Sequence, residues 1–454
     1  MFKIKNLLII FALLALILCI IPCGFASENQ THTDIQSAVD NHGGNDKLTA
    51  SEYYFDCNND REGNGSADNP YKTFANHVRD NSINYIASGN YDGSNIGSHS
   101  NVEYIGSGAL NTIIDGKGLS ISTLNTLTFK NLTLNNFKIN NNGKFNGENV
   151  IFTNSNSGVI TSYNNVSLNN CTFINNYNDK GGAIFTSGGH LNIVGCEFIN
   201  NTANLWGGAI SAESTSIVIS NTKFKNSKSK SDAGGAIFLK NADLSANNLN
   251  IFNSSATFGG AICSINSILN LTSFVGDYNK AKYQGGSVYK MYGKLYITQS
   301  NLTNNFADNG AGLFIDQVGY QLVKNNKFIN NTALSHAGGF YSLFNSNSTI
   351  ENNEYSNNHA QYSPDSLITN EINLFIGNGN YTMYVYNPSN LTVFPSKYDS
   401  REYGYVTPVK SQGSNGNCWA FATMATLESC ILKAGGPALD LSEANLKNLF
   451  GKYS

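Results

Sequence analysis

The chain has 454 residues, 28 Lys and Arg against 31 Asp and Glu, a formal net charge of −3, 13% charged and 41% hydrophobic residues. It is too long for one ordinary domain and too apolar for a disordered polymer, and it lacks the basic excess that would neutralise phosphates, so nucleic acid is not expected as a partner. With 43 glycines and 7 prolines, and about 70 asparagines, the composition favours repeated tight turns and left-handed backbone positions over helix.

At the N-terminus Lys3 and Lys5 precede an apolar run from Leu7 to Ile21, and small residues follow from Gly24 to Ser27. This pattern predicts a signal peptide over 1–26 ending at Ala26, and hence a secreted or cell-surface protein. The run is short for a bilayer span, and no later apolar run could cross a membrane. A polar spacer occupies 27–47. Beyond Cys19 and Cys23 the cysteines are Cys57, Cys171, Cys196, Cys263, Cys418 and Cys430. They include no C-x-x-C pair and no dense disulfide framework, and neither a metal nor a cofactor is expected.

Residues 48–100 read as a cap. Asn69-Pro70 followed by Phe74 and Val78 predicts a short N-capped helix closing one end of a downstream repeat array. Asp56-Cys57-Asn58-Asn59-Asp60 superficially resembles a calcium loop. It lacks the glycine at the sixth place and the acid at the twelfth, and reads as a turn.

From 101 to 375 the chain repeats. A glycine pair followed by small and apolar residues recurs at Gly181 to Phe185, Gly207 to Ile210, Gly234 to Phe238, Gly259 to Cys263 and Gly285 to Tyr289, every 25 to 27 residues, with weaker copies at Gly310 and Gly338. A fixed period of this length means a solenoid. Within each unit apolar residues alternate, as in Leu191-Asn192-Ile193 and Cys196-Glu197-Phe198, which is strand spacing. The fold class is therefore an all-β right-handed parallel β-helix with three short strands per coil. Phe173, Phe198 and Phe224 should stack inside, asparagine amides should form ladders at the turns, and Cys171, Cys196 and Cys263 should be buried in the core. No arginine lies in the coils, since Arg61, Arg79 and Arg401 are the only ones. Asp179, Asp232 and Asp308 sit on one face in non-adjacent coils, so no carboxylate pair for glycoside hydrolysis is expected. The half as a whole resembles adhesin-like surface proteins of prokaryotes, which leaves a cell-surface or carbohydrate ligand open for the coils.

Last strands and a linker fill 376–396, and then the composition changes. The stretch Tyr398-Asp399-Ser400-Arg401, Val406-Thr407-Pro408-Val409-Lys410-Ser411-Gln412-Gly413 and Gly416-Asn417-Cys418-Trp419-Ala420-Phe421-Ala422, followed by Leu441-Ser442-Glu443-Ala444-Asn445-Leu446, resembles the start of papain-like cysteine peptidases. Residues 397–454 thus read as the truncated beginning of an α+β papain-like domain. Ala420 to Leu432 is rich in helix formers, with Phe421, Met424, Ala425 and Leu427 assigned to one face. Cys418 stands at the helix N-terminus, where free N–H groups and the macrodipole stabilise a thiolate. The loop Gly413 to Gly416 can return the Gln412 amide toward it, to form an oxyanion hole with the Cys418 N–H.

The resemblance implies Cys418 as nucleophile, Gln412 as oxyanion donor, Trp419 packed beside the site, and a protein or peptide substrate. Asn415 stands where the family usually has a disulfide cysteine. The family also places a histidine and an Asn or Asp after the cysteine in chain order. All seven histidines, His32, His42, His77, His99, His190, His336 and His359, come before Cys418. The expectation is an incomplete reading frame of a surface cysteine endopeptidase, inactive as written. The alternative is a non-catalytic adhesin-like binding protein with a vestigial peptidase segment.

Overall fold

The computed structural model describes residues 50–343, 345, 347–369, 374–376, 383–385, 399–401, 404–411, 418–433, 436–444 and 446. The predicted signal peptide and spacer, the loop 412–417 and most of 376–396 lie outside the described residues. The chain divides into two compact units, Asp46–Ser389 and one that includes Asn390–Ser454.

The first unit is a parallel β-solenoid of about 11 turns. One coil shows the plan. His190–Val194 lies on the first face, Glu197–Ile199 on the second, Thr202–Trp206 on a short extra face, and Ile210–Glu213 on the third. Each pairs in parallel with its equivalent one coil on: Leu191 opposite Ile217, Phe198 opposite Phe224, Thr202 opposite Lys228, Ile210 opposite Ile237. The three main ladders merge into one continuous sheet because strands such as Ser216–Lys225 and Ile262–Thr272 turn a corner without losing their pairing. Asn221 and Asn266 make those corners at φ 49° and 48°. Asparagine is the non-glycine residue that tolerates this conformation best, since its short side chain bonds locally.

Two differences from the sequence-based expectation concern the solenoid's extent. Strand Ser51–Phe55 pairs in register with Ser82–Ile86, and that strand with Val102–Gly106, so the ladder starts inside the segment assigned to the cap. The predicted helix after Pro70 does not form. Its place holds turns, with Asn76 at φ 60° interrupting any helix. Phe74 and Val78 are nonetheless buried, and the Phe74 ring lies 4.9 Å from Phe55 and 5.4 Å from Tyr91, so the end of the core is covered by irregular chain. Asp56 to Asp60 is a turn closed by the Asn58 N–H donating to the Asp56 carboxylate at 2.9 Å.

The extra face is a third difference, because three strands per coil were expected. A fourth parallel ladder runs from Tyr177–Lys180 through Thr202–Trp206, Lys228–Ser229, Ser255–Phe258, Lys280–Gln284 and Phe306–Asn309 to Thr332–His336. Its inward positions are alanines, Ala203, Ala281, Ala307 and Ala333. Alanine is too small to mark an alternating apolar strand in the sequence.

Inside the coils Phe152, Phe173, Phe198 and Phe224 stack with centroids 4.6, 4.7 and 4.4 Å apart, the last two pairs within 3° of parallel. Cys171 and Cys196 are buried free thiols one above the other, with the Cys171 N–H donating to Cys196 Sγ at 3.3 Å. Cys263 is buried as expected, outside this column. It belongs with Phe238, Tyr289 and Phe314 to a second apolar cluster on the outer side of the third face, walled by Trp206 and Phe258 from the extra ladder.

The glycine signature has a physical cause on each residue of the pair. Gly207 stands at φ 61°, and a Cβ on Gly208 would collide with the Gly235 carbonyl oxygen of the next coil. The extra ladder thus meets the third face by backbone against backbone, where any side chain would force the coils apart.

Candidate functional site

The second unit carries the peptidase-like residues. Its helix α1 spans Cys418–Lys433, beginning two residues before the predicted Ala420 and so placing Cys418 at its first position. Cys418 is exposed and Trp419 is 41% exposed beside it. The thiol is thus open to a solute and stands among the free N–H groups of a helix start. Gln412, the proposed oxyanion donor, lies outside the described residues.

The inner side of α1 differs from the face expected. Ala420 and Glu428 are its buried positions, with Phe421, Met424 and Ile431 half-buried, while Ala425 and Leu427 are exposed. The stripe follows i, i+4 spacing, but one member is a carboxylate. Glu428 is only 1% exposed and fully engaged. It accepts from the Thr407 hydroxyl, from Lys410 Nζ at 3.0 Å and from the Leu441 N–H at 2.7 Å. The Thr407 hydrogen bond first, then the Leu441 N–H and Lys410, hold its carboxyl below the usual carboxylate range against the effect of burial. Lys410 also reaches Glu443 at 2.8 Å and Asp440 at 2.6 Å.

This node joins the segment before the helix, the helix itself and the segment after it. Sequence reasoning missed it because a Glu inside a helix is ordinarily a solvated residue. The one available signal was its spacing from Ala420 and Met424. Ahead of the node, Asp399 accepts from Arg401 Nε at 2.8 Å and from its backbone N–H at 3.0 Å, and Gly404 at φ 70° closes the following turn.

In the solenoid the three aspartates are not brought together. Asp179 accepts from Asn204 Nδ2 and Asp232 from the Trp206 indole N–H, both at 2.6 Å, while burial raises the Asp308 carboxyl above the usual range. Two buried titratable groups went unnoticed in the sequence. Lys290 is fully buried, its Nζ donating to the Ser267 carbonyl at 2.8 Å and to the Tyr292 carbonyl, and burial pushes it down to about 7. Asp316 is pushed up to about 6 by burial, with one carboxylate oxygen unpartnered. Among the described residues no group of three metal-ligating side chains converges, and no helix is long and apolar enough to cross a membrane.

Comparison with known proteins agrees with this division. Residues 394–448 match the model of the papain family of cysteine proteases. Residues 195–213, within one coil, match the Chlamydia polymorphic membrane protein repeat. A cathepsin L-like peptidase of Aedes aegypti is 44% identical over 66 residues, 14% of this chain and 19% of that protein. A cathepsin L-like proteinase of Fasciola hepatica is 43% identical over 68 residues, 15% and 21% of the two chains. The chain therefore spans about a fifth of the length of these curated relatives. Among solved structures, the A-module of the Azotobacter vinelandii mannuronan C-5 epimerase AlgE6 aligns at 13% identity and TM-score 0.28, over 67% of this chain and 88% of that one. A rhamnogalacturonan lyase aligns at 12% and TM-score 0.20, over 75% and 86%. The chain thus combines a parallel β-solenoid with a papain-family cysteine protease segment near its C-terminus.

Proposed function

We propose that this chain carries the nucleophile-bearing part of a cysteine-type endopeptidase acting on protein or peptide substrates outside the cell, with the β-solenoid as its targeting module. The observation that carries the reading is Cys418, exposed at the first position of α1 within a segment that matches the papain family of cysteine proteases. Export rests on the basic, apolar and small-residue pattern of residues 1–26.

In the proposed reaction Cys418 Sγ adds to the scissile carbonyl carbon, and the oxyanion is held by the Cys418 N–H and the Gln412 amide. Collapse expels the amine, which takes a proton from an imidazolium, and water then hydrolyses the thioester. None of the seven histidines of this sequence lies on the C-terminal side of Cys418, where the resemblance places that imidazole.

The test is labelling of native protein from its source with a biotinylated peptidyl epoxide, followed by mapping of the modified peptide. Both Cys418 and Cys430 are exposed thiols. The expected result is labelling of Cys418 alone, abolished by Cys418→Ser. Equal labelling of both, or of neither, would overturn the peptidase reading in favour of a non-catalytic binding protein.

A further inference from the structure

The outward side of the extra ladder carries a cationic patch of four lysines without a close ion pair among the described residues. Lys228 and Lys230 project from one coil and Lys280 and Lys282 from the coil two rungs on, all four exposed. Ser229 and Ala281, between the members of each pair, are buried, so each pair stands on the same side of the ladder. At the first lysine position the register runs straight, Lys228 pairing with Ser255 and Ser255 with Lys280, and it shifts beyond Ala256, where Phe258 pairs with Gln284. Lys228 and Lys280 are thus two strand spacings apart along the axis, about 9.6 Å. Between them lie the Ser255 and Thr257 side chains.

None of the four lysines forms a close ion pair among the described residues, as Lys180, Lys225, Lys324 and Lys327 elsewhere on the coils each do, and Lys282 acts on Asp308 only through a longer-range field that opposes the effect of burial on that carboxyl. Like charges on neighbouring strand positions repel. The ammonium groups lie instead over rings: Lys230 4.6 Å from the Tyr177 centroid, Lys280 4.9 Å from Phe306 and Lys282 4.8 Å from Tyr283. Carboxylates bound the patch along the axis. Asp179 stands on the Tyr177–Lys180 rung, two before Lys228, Asp232 follows Lys230 by two residues and accepts from the Trp206 indole N–H, and Asp308 stands on the Phe306–Asn309 rung after Lys280.

We propose that this patch binds a short segment of an anionic glycan, with carboxylate or sulfate groups on the two lysine rows, sugar hydroxyls on Ser255 and Thr257, and sugar ring faces against the flanking aromatic rings. Three features select this ligand. The four lysines span three rungs, with Asp232 beside the first and Asp308 just beyond the last, too short a stretch for the row of phosphates that a nucleic acid presents. Lysine, a compact point charge, serves where no base edge or planar fork is read. Rings interleaved with the ammonium groups offer apolar faces that an acidic peptide backbone would leave unused. The proposal rests on the reading of the solenoid as a targeting module and is independent of catalysis at Cys418.

The experiment measures binding of the full chain to immobilised polygalacturonate and heparin, with neutral dextran, a poly-glutamate peptide and a DNA oligonucleotide as comparisons. The variant Lys228→Gln, Lys230→Gln, Lys280→Gln, Lys282→Gln is set against Lys72→Gln, Lys138→Gln, Lys144→Gln, Lys294→Gln, which removes the same charge elsewhere. Circular dichroism and melting curves establish that both variants are folded. The expected result is salt-sensitive binding to at least one acidic glycan, weakened about tenfold or more by the first variant and left within about twofold by the second. Equal loss in both variants, tighter binding of the peptide or the DNA, or no binding to either acidic glycan would overturn the proposal. Epoxide labelling of Cys418 would be unchanged by any of these results, so failure here is distinguishable from failure of the peptidase reading.

Discussion

Lys410 Nζ lies 3.0 Å from Glu428 Oε1, and through that pair the stretches on either side of helix α1 are held to its inner face. The same carboxylate accepts the Leu441 N–H at 2.7 Å, so the position of the chain after the helix depends on the charge state of a residue inside it.

Replacing Glu428 by Gln should therefore loosen the second unit more than replacing an exposed helix residue such as Leu427. A neutral amide still donates and accepts, but it leaves the Lys410 ammonium without its inner partner. The expected readout is faster hydrogen exchange at the Leu441 amide and faster proteolysis between Gly436 and Leu446. The pH dependence has a definite sign. Glu428 titrates below its ordinary value, so the stability it contributes is present above the ordinary carboxylate range and is lost as pH falls through the lowered value. Exchange at Leu441 that does not respond to acidification, after correction for intrinsic rates, would sink this account.

The phenylalanine column gives a prediction for the solenoid. Phe198 is fully buried between Phe173 and Phe224, with rings 4.7 and 4.4 Å away. Phe198→Ala should cost about 3–5 kcal/mol, because a close-packed column bounded by coils on both sides cannot collapse around the cavity. Phe252→Ala, at a residue 43% exposed on the same face, should cost less than about 1 kcal/mol. Chemical denaturation of the two variants in parallel checks the contrast, and similar losses would mean that the column is not a continuous core.

The parts of the fold legible in the sequence were those that repeat with bulky residues. The period, the Phe173, Phe198 and Phe224 column and the turn asparagines can all be read because each repeats a conspicuous residue at one place per coil. The extra ladder was not legible, since Ala203, Ala281 and Ala307 mark its interior and small residues carry little pattern. The burial of Cys263 was legible but not what covers it: strand alternation says that two residues face opposite ways, and not that the outward one is covered by another ladder. At the peptidase-like segment a motif gave Cys418 and its helix, because helix formers follow it directly. Glu428 was hidden, since its burial depends on Thr407, Lys410 and Leu441, which are remote in sequence.

Two kinds of asparagine share the turns, and they should respond differently to substitution. Asn331 is buried. Its Nδ2 donates to Asn358 Oδ1 at 3.0 Å and to the Leu302 carbonyl at 2.8 Å, and its Oδ1 accepts from Asn305 Nδ2 at 2.9 Å. Asn331→Leu leaves donors and acceptors of two neighbouring coils unmatched, each worth about 1–3 kcal/mol when buried. The preceding Asn330 holds φ 56°, and its replacement by Ala should cost only the left-handed backbone penalty of about 1–2 kcal/mol, which Gly would relieve. Urea titration of Asn331→Leu, Asn330→Ala and Asn330→Gly should rank them in that order of loss. A harmless Asn331→Leu would mean that the inner amides do not hold the coils in register.

Lys290 supplies a pH dependence of opposite sense. Its side chain is fully buried against the Ser267 and Tyr292 carbonyls, and burial lowers it from an ordinary 10.5 to about 7, while Cys263 and Asp243 act weakly in the other direction. Below pH 7 both folded and unfolded chains hold the proton, and the buried charge destabilises the fold fully. Between about 7 and 10.5 the unfolded chain keeps a proton that the folded chain has released. Stability then rises with pH, by at most about 1.4 kcal/mol per unit from this group. Lys290→Met removes the titrating group, while leaving two carbonyls without their donor. The melting temperature of the native solenoid should therefore rise relative to that of Lys290→Met as pH is taken from 7 to 9.5. A difference between the two proteins that stays constant over this range would show that the ammonium is solvated in the folded chain, and that the nest formed by the Ser267 and Tyr292 carbonyls is not the low-dielectric site the packing describes.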